Sequence, residues 1–282
     1  MSSSPDRYAV LGNPVQHSQS PFIHGLFAEA TGQAMAYERL LCQLDGFDAA
    51  VRAFADGGAK GCNITVPFKF DAWRLATRRS ERATLAEAAN VLRFDADGWY
   101  ADNTDGVGLV RDIERNAGVA LAGQRVLLIG AGGAAAGVLG PLLQARPAEV
   151  VLANRTVAKA VALVRRHAAL AASLGVALKG SGLDDAGSGF GVVLNSSASS
   201  LAQAGVPVAA EVLAPGALAV DLMYGPAAQS FIDWAQAHGA VGRDGLGMLV
   251  EQAAEAFAVW RGVLPETAPV LQALRDRLSA KA

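Results

Sequence analysis

Several things are scarce in this 282-residue sequence. It has two cysteines, Cys42 and Cys62, in no CxxC or Cys/His pattern, which excludes a disulfide framework and a zinc-type site; no metal is expected. Aromatic residues are 6% and charged residues 18%, against 52% hydrophobic, so a disordered, solvating chain is excluded. The formal net charge is −2, and the basic excess of a nucleic-acid or anionic-membrane binder is missing. Residues 1–6 hold neither a basic nor an apolar leader segment, so no secretory signal is expected and the cytoplasm is the expected location. One long uncharged run exists, residues 126–143. It contains Gly130, Gly132, Gly133, Gly137, Gly140 and Pro141, and its β-type start Val126-Leu127-Leu128-Ile129 stops at a glycine. A strand, a turn and a buried helix are expected there in place of a membrane span.

What is present is alternation. In a first block, strands are expected over residues 7–12, 36–42, 60–65, 89–94 and 99–103, with helices over 20–31, 45–57 and 67–76. This pattern implies a mainly parallel sheet covered by helices, and the turn Asp95-Ala96-Asp97-Gly98 makes that sheet mixed. In a second block, strands over 125–130, 149–154, 191–195 and 217–221, and a short one near 241, alternate with helices reaching about 145 and over 156–174 and 226–238. That is the order of a doubly wound, Rossmann-like domain. Leu246, Leu249, Val250, Ala253, Phe257 and Trp260 recur at helical spacing, giving a helix over 247–262 with one apolar face. The expected fold class is α/β in two domains.

The stretch Gly130-Ala131-Gly132-Gly133-Ala134-Ala135 fits G-x-G-x-x-G/A, follows a strand and opens a helix. Gly130 permits the tight turn, and Gly132 lets a pyrophosphate approach the helix N-terminus. The alternative is a tight turn with no ligand. The next strand ends in Ala153-Asn154-Arg155-Thr156, with a guanidinium where an NAD site carries a carboxylate. Arginine can fork onto a 2′-phosphate and stack on adenine, which favours NADP. A solvated surface arginine is the alternative.

Four polar clusters sit at ends of expected strands, where α/β sheets bind ligands. In His17-Ser18-Gln19-Ser20-Pro21, two hydroxyls precede a helix and would cradle a carboxylate, although Ser20 alone suits a plain N-cap. In Asn63-Ile64-Thr65-Val66-Pro67-Phe68-Lys69, the lysine is a candidate for proton transfer or an ordinary surface lysine. Asn90 is a polar amide in the apolar stretch Ala88-Ala89-Asn90-Val91-Leu92 and needs partners. Asp102-Asn103-Thr104-Asp105-Gly106 places two acids beside a helix start, as caps or as half of an acid–base pair.

These segments, in this order, resemble the shikimate dehydrogenase family, as do Asp221-Leu222-Met223-Tyr224 and the stretch from Asp244 to Ala253. The resemblance covers nearly the whole chain. It implies reversible NADPH-linked reduction of 3-dehydroshikimate to shikimate, in the chorismate route to aromatic amino acids. Carried over residue by residue, it implies Lys69 and Asp105 as the catalytic pair. Ser18, Ser20 and Tyr224 would hold the substrate carboxylate, and Thr65, Asn90, Asp105 and Gln252 the ring hydroxyls. Gly130, Ala131, Gly132, Gly133, Ala134, Asn154, Arg155, Thr156 and Met223 would bind NADP, with Gly245 and Met248 lining the nicotinamide pocket. It also implies that helices from residues 247–282 complete a substrate domain of residues 1–105, leaving 106–246 as the NADP domain, in a monomer or homodimer with no nucleic-acid or membrane partner. The rivals are a quinate/shikimate dehydrogenase of broader use, a non-catalytic NADP-binding sensor, and a folate-type dehydrogenase/cyclohydrolase. Ser18 and Ser20 as a serine pair, Arg155, and the retained Lys69 and Asp105 argue against them.

Overall fold

The computed structural model describes residues 4–197 and 205–280. Contacts divide the chain into two compact units, Met1–Gly108 with Val250–Ala282, and Leu109–Leu249. The first unit contains strands β1 (Asp6–Gly12), β2 (Met35–Leu41), β3 (Gly61–Ile64), β4 (Arg78–Arg79), β5 (Val91–Asp95) and β6 (Gly98–Asp102). They form a mixed sheet in the order β2-β1-β3-β5-β6-β4. β1 lies parallel to β2 and β3, whereas β5 runs antiparallel to both β3 and β6. The antiparallel pairing of β5 with β6 follows from a tight loop in which Asp95 faces Gly98, with Gly98 at φ +124°. β4 pairs with β6 through the exposed, charged Arg78 and Arg79, so only backbone pairing makes it a strand.

Helices α1 (Ser20–Thr31), α2 (Phe47–Asp56), α3 (Lys69–Leu75) and α4 (Glu81–Ala86) follow strands of this sheet. α1 ends where Gly32 turns left-handed at φ 65° and returns its N–H to Ala28 and Glu29 carbonyls. α2 buries Phe47, Val51 and Phe54 against a core that includes Leu11, Ile64, Phe68 and Leu92. α5 (Asp105–Arg111) continues into a wider helical turn over Asp112–Asn116.

The second unit is all-parallel. β7 (Arg125–Ile129), β8 (Glu149–Ala153), β9 (Ala177–Ser181), β10 (Phe190–Asn195), β11 (Leu213–Asp221) and β12 (Val241–Arg243) stand in the order β12-β11-β10-β7-β8-β9. The order is that of a doubly wound sheet with the switch point between β7 and β10. Helices α6 (Gly133–Gln144), α7 (Val157–Leu174) and α8 (Pro226–Ala237) connect its strands. The uncharged run is thus β7, a glycine turn and a twelve-residue helix, and no helix among the described residues is long and apolar enough to cross a membrane.

α9 (Leu246–Arg261) and α10 (Ala268–Ser279) close the chain. From Val250 onward α9 belongs to the first unit, where Phe257 and Trp260 meet Phe27, His24, Tyr37 and Tyr8 in a cluster of rings. Trp260 also donates its indole N–H to the Leu92 carbonyl at 3.0 Å. The divisions between units fall inside α5 and α9, three residues beyond the 105/106 and 246/247 divisions expected.

Candidate active site

Lys69 opens α3 and Asp105 opens α5, and the fold of the first unit joins them. Lys69 Nζ lies 2.5 Å from Asp105 Oδ2, with side-chain exposures of 15% and 1%. The carboxylate is therefore almost dry, while the ammonium keeps one open side. Asp105 Oδ1 accepts from Asn90 Nδ2 at 2.8 Å. The same amide nitrogen reaches Thr104 Oγ1 at 3.0 Å and Gln252 Oε1 at 2.9 Å, and Asn90 Oδ1 accepts from the Thr104 N–H at 2.8 Å. Asn90 is 3% exposed, so these bonds are what a buried amide requires. Gln252 Nε2 and the Thr65 hydroxyl make no hydrogen bond among the described residues, leaving both able to meet ligand hydroxyls.

The loop that carries Asp105 is held from behind. Asp102, the other acid of the motif, is no helix cap: Arg82 forks onto both its oxygens at 2.7 Å, and Ser80 and the Asn103 N–H bond Oδ1. Arg82 also reaches Glu255 on α9 at 3.0 Å. Burial alone would lower the Arg82 pKa, but the hydrogen bonds and charges of Asp102 and Glu255 raise it above the usual arginine value. Asn103 ties the loop to Ala88 and accepts from the Asp105 N–H. Nothing in the sequence flags Arg82, because an arginine in Thr77-Arg78-Arg79-Ser80-Glu81-Arg82 reads as surface charge.

In the serine motif the helix begins at Ser20, with Gln19 as the cap residue, so Ser20 is not the N-cap expected. Ser18 Oγ instead accepts the Ser20 N–H at 3.2 Å, and the two hydroxyls stand 3.1 Å apart. The physical reason is that Pro21 offers no N–H, so the free donor lies at Ser20 and the hydroxyl two residues earlier meets it. Arg39 donates Nε and Nη2 to the Ser18 carbonyl at 2.9 and 2.5 Å. One turn after Ser20, His24 is fully buried and stacked on Tyr37, centroids 4.4 Å apart. Burial pushes its pKa down to about 3, with a smaller opposing pull from Asn63. Tyr37 donates to Asn63 Oδ1 at 2.7 Å, and Asn63 donates on to the Asn90 carbonyl at 3.1 Å.

Tyr224 and the cofactor candidates lie in the second unit. Gly130 takes φ +103°, and a Cβ there would stand 2.8 Å from Ser196 Oγ. Gly132 precedes α6 with no side-chain cap, and a Cβ on it would enter open space. That open space lies at the N-terminus of a twelve-residue helix, in the turn of Ala131, Gly133 and Ala134, and leaves room for a pyrophosphate to approach the free N–H groups. Just past β8, Asn154 bonds the Thr156 carbonyl at 2.9 Å. Arg155 is exposed and has no partner among the described residues. An unspent guanidinium with no carboxylate at the strand tip fits the 2′-phosphate of NADP. The Gly245 N–H donates to the Met223 carbonyl at 2.8 Å, bringing those two together, and Met248 is 5% exposed in the first turn of α9. No group of His, Cys, Asp and Glu among the described residues is arranged to hold a metal.

A glycine-turned parallel sheet and a buried Lys–Asp pair in a mixed sheet define a two-domain α/β oxidoreductase, of the nicotinamide-linked kind that acts on CH–OH groups. Family models match as the shikimate dehydrogenase substrate binding domain over residues 10–92, shikimate/quinate 5-dehydrogenase over 112–199, and the shikimate 5′-dehydrogenase C-terminal domain over 245–275. The chain is 64% identical over 276 residues to the shikimate dehydrogenase (NADP(+)) of Methylibium petroleiphilum, covering 96% of this chain and 94% of that one. It is similar to the crystal structure of an enzyme from Pseudomonas putida at 50% identity and a TM-score of 0.86, covering 95% and 98% of the two chains. It is also similar to shikimate 5-dehydrogenase from Thermus thermophilus in complex with shikimate, at 30% identity, TM-score 0.81 and coverages of 97% and 99%. The chain belongs to the shikimate dehydrogenase family.

Proposed function

We propose that this chain reduces 3-dehydroshikimate to shikimate with NADPH, and runs the reverse oxidation with NADP. The observation that carries the reading is the Lys69–Asp105 pair at 2.5 Å, open on the lysine side and backed by Asn90. NADPH, when bound, supplies the hydride that turns the ring carbonyl carbon into a CH–O centre. The chain supplies the proton and the position. Lys69 Nζ hands a proton to the developing alkoxide in reduction and takes it back in oxidation. Asp105 fixes Lys69 and, with Asn90, Gln252 and Thr65, orients the ring hydroxyls. Ser18, Ser20 and Tyr224 receive the carboxylate. On this reading residues 1–105 with 247–282 form the substrate domain and 106–246 the NADP domain, in which the hollow at Gly132 takes the pyrophosphate, Arg155 with Asn154 and Thr156 the adenosine phosphate, and Met223, Gly245 and Met248 the nicotinamide side. Two free, buried cysteines suit a reducing cytoplasm.

The test is a set of initial rates with shikimate and quinate, each with NADP and NAD. Shikimate with NADP is expected to give the highest kcat/KM. Turnover of quinate or use of NAD at a comparable kcat/KM would move the chain to the broader quinate/shikimate type, and no turnover with any pair would overturn the reading.

A further inference from the structure

The serine pair is neutral, and hydroxyls of this kind receive a hydroxyl or a carboxylate alike. Beyond the N-terminus of α1 at Ser20, a formal charge adds selectivity for an anion, and β2 brings one. Tyr37 and Arg39 are two residues apart on the strand and share one face of it. Tyr37 packs on His24 behind Ser20, and Arg39 forks onto the carbonyl of Ser18. Glu38, on the opposite face, is spent on Arg7. Arg7, Arg52, Arg74, Arg78, Arg82, Arg93 and Arg261 each have a carboxylate partner. Arg39 has none among the described residues, and its bonds to Ser18 use two of the five N–H groups of a guanidinium. A full positive charge is thus held, without a counter-ion among the described residues, against the backbone of the serine expected to meet the ligand.

We propose that Arg39 is the specificity-determining residue that makes the serine cradle prefer a carboxylate. It acts on the ligand through its field and on Ser18 by fixing that residue's backbone, without needing to touch the substrate. The inference rests on the reading that Ser18 and Ser20 receive the substrate carboxylate. Because the group is exposed, solvent and salt screen its field, which limits the gain to about 3–10-fold in substrate affinity. The carboxylate keeps its charge throughout the reaction, so the benefit falls equally on ground and transition states and shows in KM, not kcat.

The experiment compares shikimate with its methyl ester, neutral at the same position, at roughly 0.02 M and roughly 0.5 M salt. Arg39→Gln should raise KM for shikimate about 3–10-fold at low salt and much less at high salt, with kcat and the ester KM unchanged. Arg39→Lys keeps the charge, gives up the fork, and should recover most of the loss. An equal rise for acid and ester marks a merely structural role and overturns the proposal, as does no rise or no recovery by lysine. A native enzyme that takes the ester as readily as the acid overturns the carboxylate reading instead. If Arg39→Gln does not fold, the native enzyme and Arg39→Lys still decide: a KM that climbs with salt for the acid alone supports the proposal, and a flat one overturns it.

Discussion

Among the buried polar residues, Ser20, His24, Asn90, Asp102, Asn103, Thr104, Asp105 and Glu251 lie in the first unit, and Asp112, His167, Asn195 and Asp221 in the second. The first unit also has most of the ring contacts, whereas the second is a parallel sheet of Val, Leu, Ile and Ala covered by small-residue helices. The contrast matches what each unit is read to do. Recognising a ring with several hydroxyls and moving a proton takes side chains in fixed orientations. The desolvation of those in the site is tolerable because they are bonded, Asn90 to Asp105 and Asp102 to Arg82. Holding a pyrophosphate takes backbone N–H groups and an absence of side chain, which Gly130 and Gly132 provide. One unit works by what its side chains reach, and the other by what its backbone leaves open.

The largest way to break this contrast is at Lys69. Lys69→Ala should lower kcat about 10²–10⁴-fold with a much smaller change in KM, the scale of an acid–base group. Asp105→Asn should do likewise, and the double variant should fall short of the product of the two. Steady-state kinetics with a melting curve checks this, since Lys69→Ala leaves a carboxylate that is 1% exposed without its cation. A near-normal kcat would remove the lysine from the proton path. Next is Arg155, the one cofactor contact read as a charged side chain. Arg155→Gln should raise KM for NADP about 10–100-fold and leave that for NAD nearly unchanged. Equal losses would assign it to the adenine or the fold.

Gly132→Ala tests the backbone half directly. The added methyl meets no protein atom and φ is −93°, so the melting temperature should hold. The methyl fills the hollow, and NADP binding, read by titration, should weaken about tenfold. A tighter or unchanged complex would show that the phosphates lie elsewhere.

The smallest effect is on pH. His24 in the first unit has a pKa near 3 and His167 in the second near 4, both lowered chiefly by burial from 6.5. A group with a depressed folded value binds a proton more readily when unfolded, so stability is full above pH 6.5 and is lost as pH falls toward the folded pKa. His24→Phe keeps the ring stack and should flatten the loss between pH 6.5 and 4.5, worth about 2–3 kcal/mol, in chemical melts. An unchanged acid slope would place the sensitivity in His167 or the carboxylates.

Much of this architecture is legible along the chain because strands such as β7, β8 and β10 are apolar runs that stop at Gly130, Asn154 and Asn195. β9 is not: Ala177-Leu178-Lys179-Gly180-Ser181 is short and half polar, and becomes a strand only by pairing at the sheet edge with β8. β4 escapes for the same reason, and α10 because its stripe, Val270 and Leu274, is narrow. In the site, residue type and position at strand ends single out Lys69, Asn90 and Asp105. Their joint geometry depends on Gln252, 162 residues from Asn90, and on Arg82, 173 from Glu255, and no local pattern carries pairings of that range.

Because the first unit takes residues from either side of the second, it is complete only with the stretch from Val250 onward. All residues of the second unit precede Val250, while the first unit still needs α9 beyond Leu249. Domains usually finish in N-to-C order; here the unit that begins first in sequence needs segments from either side of the other. That stretch brings the Gln252 acceptor for Asn90, the Glu255 partner of Arg82 and the indole of Trp260 that donates to the Leu92 carbonyl. A chain cut before residue 250 would keep the whole second unit and lose these three contacts, leaving Asn90 short of an acceptor beside the Lys69–Asp105 pair.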